Sequence, residues 1–93
     1  MIDVMRKSCT AGTETRFQLK SAATRFLVKN FTGGNIDVCA GYTFDSDESI
    51  RIAAGMYQVL EINTDPVDLV SAATDTVIIK TVESGIVEVQ RVD

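Results

Sequence analysis

Apolar and polar residues alternate with a period of two along most of the chain, and turn residues break the alternation at intervals of roughly 8 to 12 positions. Because successive side chains of a strand point to opposite faces, this period marks strands with one face buried. Arg16-Phe17-Gln18-Leu19-Lys20 predicts a first strand. Thr24 to Lys29 sets Phe26 and Val28 on one face, and Ile36 to Ala40 sets Ile36, Val38 and Ala40 against Asp37 and Cys39. Ser49 to Ile52 points Arg51 away from the core, and Tyr57 to Ile62 forms the next strand. Val67 to Val70 reads as a short edge strand after Pro66, which lacks a donor and belongs in a connection.

Thr76 to Val82 and Ile86 to Val92 complete the set. Val77 and Ile79 oppose Ile78, so this run is apolar on both faces, as in a central strand covered on both sides. Val87 and Val89 oppose Glu88 and Gln90. Glycine-bearing connections at Asn30 to Asn35 and at Glu83-Ser84-Gly85 read as hairpins, and Gly55 marks a further turn. No segment sustains a helical period. The expectation is an all-β domain, a small antiparallel β-sandwich or barrel of about six or seven strands. Residues 1–22 are expected as an N-terminal arm or first strand that docks a partner, with residues 23–93 as the sandwich.

At 93 residues the chain is one domain near the lower end of sizes that fold unaided. Its 45% apolar and 24% charged residues are ordinary for a globular domain. No apolar run approaches the ~18 residues needed to span a bilayer, and the N-terminus lacks the order of a secretory signal, so a soluble, intracellularly made product is expected. Charge is unevenly placed. Residues 1–29 carry +4 and the remainder −8, within a total of −4. Such a layout fits a basic N-terminal segment, with Arg6, Lys7, Arg16 and Lys20 as candidate docking residues, that touches an acidic neighbour or the body of another copy. The cations are neither clustered nor interleaved with stacking aromatics, so nucleic acid is not expected as a partner.

The chain has no histidine, which removes Ser-His-Asp and Cys-His catalysis and leaves Cys9 and Cys39 unable to complete a four-ligand zinc site. Cys39 is expected as a reduced thiol packed as a small hydrophobe, and the two cysteines are too few for a disulfide scaffold. Asp45-Ser46-Asp47-Glu48-Ser49 lacks the glycine and distal glutamate of a helix-loop-helix calcium loop and reads as a solvated loop. No enzyme activity, cofactor or metal is expected. Phe31, Tyr42 and Phe44 lie in loops, where they either plug one end of the domain or form an exposed contact for a protein or a sugar.

From residue 24 onward the chain resembles small β-sandwich virion proteins of tailed bacteriophages, the capsid decoration, head-fibre and collar or tail accessory class. The likeness lies in Val28-Lys29-Asn30, the turn Gly33-Gly34-Asn35, Ile36-Asp37-Val38 leading to Gly41, and Ile50-Arg51-Ile52. It continues in Ala53-Ala54-Gly55, where the family often has proline at the place of Ala54, then in Val77-Ile78-Ile79 and in Ser84-Gly85-Ile86-Val87-Glu88-Val89. The resemblance implies a virion structural or accessory subunit, assembled in the host cytoplasm, a homo-oligomer that is often a trimer. Its N-terminal segment would attach to a capsid, collar or tail protein. On this reading, loss of residues 1–20 abolishes particle binding and leaves the β-domain folded. The alternatives are a stand-alone adhesin or carbohydrate-binding module using Phe31, Tyr42 and Phe44, and a small inhibitor of a host protein.

Overall fold

The computed structural model describes residues 3–62 and 73–92. Eight strands run through them: β1 Val4–Cys9, β2 Glu14–Ala23, β3 Arg25–Asn30, β4 Ile36–Ala40, β5 Ile50–Ile52, β6 Tyr57–Glu61, β7 Thr74–Thr81 and β8 Gly85–Arg91. They form two four-stranded antiparallel sheets, ordered β1-β8-β3-β6 and β2-β7-β4-β5, packed face to face as a sandwich. The expected edge strand at Val67 to Val70 falls outside the described residues.

The period-two pattern supplies the core. Phe26, Val28, Val87 and Val89 from one sheet meet Phe17, Val38, Val77, Ile79 and Ile36 from the other, all fully buried. Leu19, Cys9, Ala23 and Leu60 extend the same cluster. Burial of each large side chain contributes about 1.5–3 kcal/mol relative to exposure.

Within residues 3–22 the chain forms β1 and most of β2. β1 pairs along its whole length with β8, and β2 pairs with β7, so the first of the described strands lies beside the last. Cys9, Phe17, Leu19 and Ala23 from this segment belong to the core. Of the two readings of residues 1–22, the described part of the segment is built into the sandwich as strands and does not form a separate arm. The β1 pattern was hidden because Arg6, Lys7 and Ser8 interrupt its apolar positions at a sheet edge.

Both expected hairpins are also corrected. β3 and β4 lie in different sheets, and so do β7 and β8, so residues 31–35 and 82–84 are arches that carry the chain across the sandwich. Among the described pairings, only β4 and β5 are consecutive strands in one sheet. The two arches pack together at one end. A Cβ on Gly85 would stand 2.9 Å from the Thr32 backbone, so this contact needs glycine. Buried Asn30 fixes the first arch, donating from Nδ2 to the carbonyls of Gly34 (2.9 Å) and Ile52 (3.0 Å). Its Oδ1 accepts from the Thr32 amide (2.8 Å) and hydroxyl (2.7 Å). Every hydrogen-bonding position of this amide is filled, as burial requires.

Candidate functional face

The two sheets differ on their outer faces. On the β2-β7-β4-β5 sheet, the register sets Arg16, Ile78 and Cys39 in one row. Ile78 and Cys39 point outward, yet each is only 3% exposed. The loop after β4 covers them. Arg16 donates to the Tyr42 carbonyl (3.0 Å), the Tyr42 hydroxyl donates to Asp75 (2.9 Å), and the Cys39 thiol lies 3.8 Å from the Thr43 carbonyl. Hydrogen bonds from the Thr76 and Tyr42 hydroxyls hold the Asp75 carboxyl below the usual carboxylate range. This accounts for the two-faced apolar run at residues 77–79 and for the buried, free state of Cys39. In the next row, Glu14, Lys80, Asp37 and Arg51 alternate in sign across all four strands, with Arg51 Nε 3.0 Å from Asp37.

The β1-β8-β3-β6 sheet has no such cover among the described residues. Its outer face carries the row Val4, Gln90, Leu27 and Val59, and beside it the row Arg6, Glu88, Lys29 and Tyr57. Ile86 and Phe31 flank the second row, and with Arg6 they line a shallow depression. Val4, Val59, Tyr57, Ile86 and Phe31 are all exposed, Tyr57 by 70% and Phe31 by 57%. Scattered apolar residues are ordinary on a surface, but five exposed apolar or aromatic side chains around one charged row make this face the candidate site.

The centre of this face is ionic. Glu88 accepts from Arg6 Nη2 at 2.6 Å and Nε at 3.2 Å, and its second oxygen lies 3.4 Å from Lys29 Nζ. The carboxylate is nearly buried under its partners, whereas Arg6 remains largely exposed and keeps unused donors. The Arg6 hydrogen bonds, aided by Lys29, hold the Glu88 carboxyl below the usual carboxylate range against the opposing effect of burial.

The candidate docking cations do not share one patch. Arg6 belongs to this open face. Lys7 bridges the two sheet edges, donating to the Arg16 carbonyl (2.7 Å) with its ammonium 5.6 Å from the Phe17 ring centre. Arg16 secures the covering loop. Lys20 is an exposed residue of β2 whose backbone amide donates to Asp3 (3.0 Å). The loop aromatics are likewise divided. Phe31 joins the open face, while Tyr42 and half-buried Phe44 border a groove with Glu14 and Arg16 on the opposite sheet. Neither the end plug nor a single platform of all three is formed. Sequence reasoning missed Val4, Glu88, Lys29, Tyr57 and Val59 as one surface, because register across four strands brings them together.

Among the described residues, no group of His, Cys, Asp and Glu side chains is arranged to hold a metal, and no helix is long and apolar enough to cross a membrane. Comparison of the chain with known protein families, curated proteins and solved structures finds no match.

Proposed function

We propose that this protein is a virion structural or accessory subunit of the tailed-bacteriophage type, which works through protein contacts on the outer face of the β1-β8-β3-β6 sheet. One observation carries the reading: among the described residues, a loop covers the outer face of one sheet, while the other sheet shows an uncovered apolar face with an ion-paired centre. A contact surface of this composition, apolar and aromatic around a few placed charges, is what protein partners bury. The sequence resemblance to virion accessory proteins supplies the setting, and the absence of histidine makes a contact role more economical than a catalytic one.

The reading is tested on particles assembled with the gene present. The wild-type chain is expected in purified particles by immunoblot, and Val59→Lys, which places a charge on the exposed edge of the face, is expected to lower its copy number severalfold while leaving the melting temperature unchanged. Wild-type chain missing from the particles, or full incorporation of the variant, overturns the proposal.

A further inference from the structure

The reading of the open face as a contact surface leaves its occupant to be identified, and the charges it carries point to one. The face carries three cations, Arg6, Arg25 and Lys29, against two carboxylates, Glu88 and Glu61. Arg6 and Lys29 flank Glu88 with donors to spare. Elsewhere on the molecule, the short 3-10 turn Ser46–Glu48 and its cap present Asp45, Asp47 and Glu48, all exposed. None of these carboxylates has a cation within 4.0 Å among the described residues. Among the described residues, the covering loop thus carries surplus negative charge and the open face surplus positive charge.

Symmetric pairing of two bare faces about an axis through Glu88 is disfavoured by the same row. A two-fold axis through Glu88, along the strands or across them, sets Glu88 of one copy over Glu88 of the other and cations over cations. A contact between unlike surfaces avoids this.

We infer that the bare face of one copy receives the acidic loop at Asp45 to Glu48 of a second copy, in a head-to-tail contact. Such contacts close into a ring or continue as a fibre. Four strands at ~4.8 Å spacing and about five residues at ~3.3 Å each give a flat area of only a few hundred Å², well under the roughly 800 Å² per partner of a stable pair. Association is therefore weak for two copies and sensitive to salt, with any lasting assembly supported by ring closure or by a particle surface.

Sedimentation equilibrium of the full chain over a wide concentration range decides the matter. At low salt the mean mass is expected to exceed the 10.1 kDa of one chain and to rise with concentration, and added salt is expected to reverse this. Asp47→Lys and Lys29→Glu are each expected to weaken association by about tenfold, and the double variant to recover it. Val59→Lys is expected to weaken it as well, while Val82→Lys, away from both surfaces, leaves it unchanged. Should Lys29→Glu fail to fold, Asp47→Lys on its exposed loop and Val59→Lys suffice. A monomer at every concentration, or association indifferent to Asp47→Lys, overturns the inference. Particle incorporation that depends on Val59 while the free chain stays monomeric would sink this contact alone and leave the proposed function standing.

Discussion

Glu88 shows how one residue joins the two roles of a strand. Its neighbours Val87 and Val89 are fully buried, whereas its own side chain turns outward to Arg6 and Lys29. The pairing depresses its folded pKa, so the folded chain gives up this proton at a lower pH than the unfolded chain. Between the two pKa values the unfolded state binds more protons, and stability rises with pH. The contribution is fully present above the unfolded value, about 4.3, and is lost as pH falls through the folded one. Urea midpoints at neutral and acid pH are expected to show this fall, and Glu88→Gln is expected to shrink the difference. Asp75, also depressed, leaves a residual slope in the same direction.

At the level of elements, the edges decide what can pair. β1 and β2 are edge strands of opposite sheets on one side of the sandwich, and each exposes backbone groups that invite another chain. Two inward-facing charges close that side. Lys7 reaches the β2 backbone at Arg16, and Asp3 Oδ2 accepts from the amides of Lys20 (3.0 Å) and Ser21 (3.4 Å), where β2 slips register against β7. An inward charge on an edge strand is a recognised guard against aggregation. Lys7→Val should raise β-propensity and apolar area while removing that guard. Light scattering on heating is expected to show earlier aggregation than for wild type. Unchanged onset would assign edge protection elsewhere.

The strand positions were legible at this scale because burial on one face imposes a period of two. Phe26 with Val28, Val77 with Ile79, and Val87 with Val89 all point inward as their spacing predicts. The connections were not legible. A turn of Gly33-Gly34 serves a hairpin or an arch equally, and the choice depends on Asn30 reaching Ile52 across the sandwich and on Gly85 packing against Thr32.

Over the whole molecule, the first of the described strands pairs with the last. Removal of residues 1–20 takes β1 entirely and most of β2, stripping one edge from each sheet and Phe17 and Leu19 from the core. Loss of buried Phe17 alone is expected to cost about 3–5 kcal/mol, a large part of the roughly 5–15 kcal/mol of a typical domain. The truncated chain is therefore expected to be unfolded by circular dichroism and by loss of amide dispersion in NMR spectra. A cooperative melt of that fragment would restore the arm as a separable element.

The linear order of residues determined the β class, the inward sets of most strands, the buried Cys39 thiol and the lack of histidine-based chemistry, because each follows from local spacing or from which side chains exist. Only the tertiary structure decided which strands lie side by side, which turns cross between sheets, and which outer face the loop at Gly41 to Glu48 covers. Those outcomes depend on contacts between residues far apart in the chain. The bare face belongs to this second kind: Arg6, Lys29, Tyr57 and Glu88 sit on four different strands, and cross-strand register alone aligns them.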